Sequence, residues 1–382
     1  METDVKQWLK SIHDNFPIVQ IVQNLTPLDQ VQKLLKIIVF SIHVSKKDLI
    51  APITSSNWVE YIQNAIEHVS TSDNILFYSN QQMAVLNSND PRYKLIICGP
   101  FGTGKTILLQ QKAMQLNGEP RYKGKIMFLI EQNESISELK SMLYHRMRVE
   151  LEMKHGIFVI QIKRWSQHEH ILQNLMQHDI KAVFCDEFNM HQRDLIEKMK
   201  EMVDFLWIVP STKNLSDHLS DHSLGLWRNE FTFLDLSQNF RNAREIVKST
   251  ISSAEENDYK YKQGIVMPPE NFPTGCPPIF VDTFEEAMKE ERKRTKYGIL
   301  VILGIEEIYV YLNQMNEKWK RHSLSGNDFK GNENPYKFLL QEGNILIVDH
   351  NLTYGFEWQT VIMFEYGVNY TDATIHDCNL MM

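Results

Sequence analysis

The chain has 382 residues and a net charge of -8, from 40 Lys and Arg against 48 Asp and Glu. With 43% hydrophobic and 23% charged residues, it carries enough apolar material for two or three packed domains, which excludes a disordered chain. The acidic balance argues against a generally basic, nucleic-acid-coating surface, although it leaves room for a local basic groove.

Residues 1–75 are expected to be mostly helical. Val5, Trp8, Leu9 and Ile12 fall at helical spacing, and Trp58, Tyr61, Ile62, Ala65, Ile66 and Val69 repeat the pattern after "TSSN", a plausible cap. This region shows no chemistry and reads as an accessory packing layer. The first residues are amphipathic and charged, with no apolar h-region. No apolar run approaches the roughly 18 residues of a membrane span. Cys98, Cys185, Cys276 and Cys378 are scattered, which argues against a disulfide framework or zinc site. The expectation is a soluble, intracellular protein of cytoplasm or nucleus, with no membrane partner.

Over 76–235 the pattern changes to α/β. The short apolar runs "YKLIIC", "KIMFLI", "IFVIQI", "KAVFC" and "FLWIV" alternate with helix-like segments, as parallel strands buried on both faces do. A second set follows over 236–382: "PPIFVDT", "YGILVILG", "NILIVDH" and "QTVIMFEY". The Pro- and Gly-rich stretch 257–278 and "RHSLSGNDFKGNENP" (321–335) read as loops.

"GPFGTGKT" fits G-x-x-x-x-G-K-[ST], with an apolar strand directly before it and an apolar helix directly after. Gly99, Gly102 and Gly104 let backbone N–H groups turn toward an anion, and the helix N-terminus adds its dipole. Lys105 would neutralise the β- and γ-phosphates of ATP, and the Thr106 hydroxyl would ligate Mg2+. Downstream, "KAVFCDEF" ends a buried strand in Asp186 and Glu187, at the sheet edge where ligands bind. Asp186 is the expected Mg2+ ligand and Glu187 the general base for an attacking water. Both carboxylates together favour an ATPase over a kinase, and no "NKxD" base reader suggests a GTPase.

The order of motifs from residue 78 onward resembles the two RecA-like domains of superfamily 1 helicases of the UvrD/Rep type. "NQQMAV" (80–85) is similar to the adenine-reading Q-motif, which implies that Gln81 meets the adenine edge. "MFLIEQNESISELKSML" resembles motif Ia, and "FCDEFN" motif II. "LSQNFRNAREI" (236–246) resembles motif IV and implies a γ-phosphate role for Arg241. "GFEWQTVI" (355–362) resembles motif V, where Gly355 and Glu357 would couple nucleotide to a nucleic-acid strand.

The resemblance implies a P-loop NTPase with parallel sheets, domain 1 over 76–235 and domain 2 over 236–382, behind a helical N-terminal region. Its implied partners are ATP, Mg2+ and single-stranded DNA or RNA. "CNLMM" resembles the front of motif VI, and its arginine finger would come just beyond Met382. Such a finger is worth about 10³–10⁵ in turnover. The expectation is therefore a truncated product that binds ATP and hydrolyses it poorly.

Several departures stand out. Motif Ia carries Ile130, Glu131 and Gln132, and an acidic Glu131 would repel phosphate. Motif III, expected near "WIVPSTKN" (207–214), lacks its acidic run. Tyr354 replaces a Lys before Gly355, His350 is one position further away than in the family, and the motif Ia to II spacing leaves no room for an inserted subdomain. These departures resemble diverged Schlafen-type helicase-like proteins, and they keep open a nucleotide-gated switch or scaffold that binds ATP without unwinding. A signalling ATPase of the AAA or STAND kind shares the P-loop but does not account for "QNFR" followed by "GFEW". Trp165 and Trp227 read as packing residues, Lys293 and Arg294 as part of a solvated helix end, and the histidines as surface residues.

Overall fold

The computed structural model describes residues 80–86, 93–132, 139–163, 168–211, 227–239, 242, 244–256, 266–268, 278–281, 283–292, 297–302, 312–314, 317–358 and 360–363. The helices expected over 1–75, Trp165, Lys293, Arg294 and the "CNLMM" segment lie outside these residues.

The first sheet contains β1 (Lys94–Cys98), β2 (Ile126–Gln132), β3 (Phe158–Lys163), β4 (Ala182–Phe188), β5 (Phe205–Pro210) and β6 (Thr232–Asp235). Its order is β3-β2-β4-β5-β1-β6, and every neighbouring pair is parallel. The strands read as continuous apolar runs because both faces are covered. Leu95, Phe128, Phe184 and Trp207 enter one core. Ile96, Leu129, Val183 and Ile208 enter the other. This is the period-2 alternation of a pleated strand with helices on each side.

Helices α2 (Lys105–Asn117) and α3 (Met142–Met147) line the first core with Leu108, Leu109, Leu143 and Met147. Helices α4 (His168–Gln177) and α5 (Arg193–Met202) line the second with Ile171, Leu175, Leu195 and Met199. Phe128 and Phe184 are fully buried, and each contributes roughly 1.5–3 kcal/mol by leaving water. Truncation of Phe184 to Ala would cost about 3–5 kcal/mol.

Helix α1 (Asn80–Leu86) has 7 residues and is too short to be stable alone. Val85 anchors it in the core. At its C-terminal end the Lys112 ammonium, 2% exposed, donates to the Leu86 carbonyl at 2.9 Å. The same ammonium lies 5.9 and 5.7 Å from the Phe205 and Trp207 ring centres. A cation at a helix C-terminus and over aromatic faces is favourable on both counts, although burial lowers its pKa.

The second sheet contains β7 (Ile299–Ile302), β8 (Trp319–Ser323), β9 (Gly326–Asn327), β10 (Ile345–Val348) and β11 (Val361–Met363), in the order β11-β7-β10-β8-β9. Only the β8–β9 pair is antiparallel. Helix α7 (Phe284–Glu291) covers one face with Phe284 and Met288; α6 (Arg244–Glu256) precedes it. The other face packs on α8 (Pro335–Leu339) and Phe356, and also on Met142 and Val149 of the first unit. Val149 lies in a π-helical turn, Arg148–Met153, that continues α3. The expected α/β architecture with two largely parallel sheets is therefore present.

Two local expectations change. Residues 278–281 of "PPIFVDT" form no strand, and Phe280 is 84% exposed. An apolar run becomes a strand only when a neighbour takes up its backbone groups, and no described residue pairs with it. Conversely, the loop expected over 321–335 contains the end of β8 and all of β9, folded back as a tight hairpin with His322 opposite Asn327.

Candidate nucleotide site

The phosphate loop, residues 99–104, leaves β1 at Cys98 and enters α2 at Lys105. Gly99 and Gly102 have φ of 145° and 74°. A Cβ on Gly99 would lie 2.5 Å from the Leu236 carbonyl oxygen, and one on Gly102 would lie 2.4 Å from Asn239 Oδ1. Only glycine fits at either position. No side chain caps α2, so its first-turn N–H groups remain available to an anion. The Thr103 hydroxyl donates to the Pro100 carbonyl at 2.8 Å and closes the loop on itself.

Lys105 donates to the Gly99 and Pro100 carbonyls at 2.8 and 2.9 Å, with the Phe101 ring 5.8 Å away. Burial pushes its pKa down. Glu187, then Asp186, Cys98 and Glu357, oppose that shift. Cys98 closes β1, and burial raises its thiol pKa to about 11, so it is a poor nucleophile.

The partner carboxylates stand at the end of β4, separated from the phosphate-loop strand by β5. Cys185 pairs with Ile208 and Phe188 with Pro210, so β4 spends one more residue than β5 over this stretch. The bulge places Glu187 at φ 53°, a left-handed conformation that costs a non-glycine residue about 1–2 kcal/mol. It re-aims the two side chains relative to a regular strand. Asp186 is 0% exposed, and its Oδ1 accepts the Glu187 N–H at 3.2 Å. Its buried Oδ2 has no hydrogen-bond partner among the described residues. Burial raises its pKa, opposed by the Thr106 hydroxyl, Lys105 and the Glu187 N–H.

A carboxylate oxygen left bare beside a threonine hydroxyl and a lysine fits a cation site. Among the described residues no group of three or more His, Cys, Asp or Glu could hold a metal. Magnesium held by Thr106 and Asp186 would draw its remaining ligands from phosphate oxygens and water.

The second unit reaches the same place. A Cβ on Gly355, at φ 69°, would lie 3.0 Å from Leu143 Cδ2 and 4.0 Å from Glu187 Cγ. Glu357 acts electrostatically on Lys105. The residues singled out in "GPFGTGKT", "FCDEFN" and "GFEW" are thus brought together between the two sheets. Gln81 lies in α1, but its side chain, like Arg241, falls outside the described residues.

Other expectations resolve differently. Glu131 is 4% exposed and accepts the Asn189 N–H at 2.8 Å, so its charge faces inward and offers a phosphate strand no repulsive surface. Trp227 is buried edge-on against Phe231, with ring centres 5.5 Å apart. His168 bonds Gln192 at 3.0 Å. Sequence reasoning missed Gln82 and Asn239, which touch the loop; both stand inside quoted motifs whose neighbours drew attention.

No family model matches the chain, and no curated protein is similar to it. Solved structures are. The DUF1998 helicase MrfA bound to DNA and AMPPNP aligns with TM-score 0.39 at 12% identity, over 82% of this chain and 48% of its own. Pif1 helicase from Candida albicans aligns at 0.32 and 12%, over 68% and 56%. Mss116p bound to ssRNA and AMP-PNP aligns at 0.37 and 12%, over 84% and 71%. The chain spans about half the length of the first two. The functional reading rests on the site's own residues. Among the described residues no helix is long and apolar enough to cross a membrane.

Proposed function

We propose that the chain is an ATP-binding, magnesium-dependent NTPase with a superfamily 1 helicase-like core, acting on single-stranded DNA or RNA. The observation that carries this reading is the convergence of Lys105, Asp186, Glu187 and Gly355 on one cleft between two sheets. A nucleotide held there touches both units, so its phosphate state can bias their closure. Bound Mg·ATP would supply a phosphoanhydride and a cation to polarise it. The chain's own part is to hold the phosphates with backbone N–H groups and Lys105, to ligate the cation with Thr106 and Asp186, and to take the water's proton at Glu187. Arg241 is proposed as the nucleotide sensor, and Gln81 as the adenine reader.

Calorimetric titration with Mg·ATP tests this reading: wild type binds, and Lys105→Ala binds at least tenfold more weakly, since a charge-assisted phosphate contact is worth roughly 1.5–3 kcal/mol. Equal binding by both proteins would overturn it. A second reading, a nucleotide-gated switch, is favoured by the inward-facing Glu131, whose carboxylate is turned to the Asn189 N–H. ATP turnover at low salt with and without single-stranded DNA or RNA decides between them. Stimulation supports the helicase-like reading, and its absence supports the switch.

A further inference from the structure

The phosphate loop is gripped from outside by side chains that belong to neither the phosphate motif nor the carboxylate motif. We propose that Asn239 and Gln82 are positioning residues that hold this loop in its anion-ready shape before ligand arrives. The proposal rests on the nucleotide reading of the loop and names what supports it.

Asn239 is 1% exposed and fills the space where a Gly102 side chain would stand, its amide atoms 2.4 to 2.7 Å from that position. Its orientation is fixed at both ends of the amide: Oδ1 accepts the Asn242 N–H at 3.1 Å, and Nδ2 donates to the Val266 carbonyl at 3.0 Å. The chain arrives there along the loop itself. Asp235 of β6 is in register with Cys98, the Leu236 N–H donates to the Cys98 carbonyl at 2.9 Å, and the Leu236 carbonyl covers Gly99. One stretch, 236–239, therefore lies along the loop from Gly99 to Gly102.

Gln82 works from the other side. It is 4% exposed, and its Nε2 donates to the Thr103 carbonyl at 2.8 Å. In a trans peptide C=O and N–H point in opposite directions, so fixing the Thr103 carbonyl toward α1 directs the Gly104 N–H away from α1. That N–H opens the helix and is among those an anion would use. Gln82 is itself placed by Lys112, which holds the end of α1. Removing either grip would leave glycines free to sample many backbone states, and binding would then have to order them.

The test uses the full chain. Amide hydrogen exchange over 99–105 is measured without nucleotide, and affinity for Mg·ADP and Mg·ATP by calorimetry. Asn239→Ala and Gln82→Ala are expected to speed exchange in the loop and weaken both nucleotides roughly tenfold, the worth of a buried hydrogen bond. A double-mutant cycle makes the assignment specific. Gly102→Ala collides with Asn239 in wild type, so it should weaken binding less in the Asn239→Ala background than alone. Additive losses, or unchanged loop exchange in the single variants, would overturn the proposal. If Asn239→Ala does not fold, Asn239→Asp keeps the shape and Oδ1 but loses the donor to Val266, and faster loop exchange is again the expected result. If wild type binds neither nucleotide, the nucleotide reading fails, while the exchange measurement still decides whether the loop is braced.

Discussion

Strands β2 and β4 lie side by side, with Ile130 in register with Asp186, and both carry carboxylates near their C-terminal ends. Glu131, the last residue but one of β2, turns its Oε2 to the Asn189 N–H at 2.8 Å. Asp186 on β4, also buried, accepts the Glu187 N–H at its Oδ1 and lies beside Thr106 and Lys105. The acid next to it, Glu187, sits on a left-handed backbone that no regular strand adopts. Two buried acids of similar sequence context thus differ in their surroundings: one is turned to a backbone N–H of the loop after β4, the other stands beside the phosphate-loop lysine and the Thr106 hydroxyl. Burial alone marks neither as functional; a place beside the phosphate-loop lysine does.

The largest effects should separate the two acids. Asp186→Asn is expected to lower magnesium-dependent ATP turnover by on the order of 10²-fold, the usual cost of losing one aligned electrostatic group. A loss under about threefold would remove Asp186 from the metal site. Glu131→Ala should do the reverse: it strands a buried N–H and costs about 1–3 kcal/mol in denaturant unfolding, with Mg·ATP affinity within about twofold of wild type. A large affinity loss there would erase the contrast.

His145 adds a third buried titratable group. Both of its ring nitrogens are buried without hydrogen-bond partners among the described residues, and its ring stands edge-on to His322 at 5.0 Å. Burial, then His322, Arg148 and Lys140, depress its pKa from 6.5 to about 3. A histidine held neutral in the fold contributes stability that is fully present above 6.5 and is lost as pH falls toward 3, because the unfolded chain takes up the proton first. The slope approaches about 1.4 kcal/mol per pH unit. His145→Gln should flatten the acid limb of the unfolding curve by about that much; an unchanged limb would show that His145 titrates normally. The smallest effect is expected at Gly355. Alanine there adds left-handed strain of about 1–2 kcal/mol and presses on Leu143 and Glu187, so turnover should fall several-fold more than nucleotide affinity.

The sequence revealed what depends on local pattern. β1, β2, β4, β5, β7 and β10 are legible because burial on both faces makes them uninterrupted apolar runs. β6, "TFLD", is half-exposed along its length and gives no such signal, and β8, "WKRHS", is polar after Trp319 even where it is buried, at His322 and Ser323. "PPIFVDT" fails for the opposite reason, since it has the composition of a strand but no described neighbour to pair with. At the site, the phosphate loop and the paired acids are contiguous and were visible. The grips of Gln82 and Asn239, and the inward turn of Glu131, are tertiary contacts whose partners lie far along the chain.

The helix that begins at Met142 has a mechanical consequence. Leu143 and Met147 are buried in the first unit's core, whereas Met142 and Val149, about two turns apart, are buried in the second unit's. His322 of β8 bonds the Lys140 carbonyl at 2.7 Å, and Asn334 bonds the His145 carbonyl at 3.2 Å. Pulling the two sheets straight apart would expose Met142, Val149, Leu300 and Tyr336 to water together. The helix is a shared seam, and Leu143, which faces Gly355 beside Glu187, carries that seam up to the carboxylates themselves.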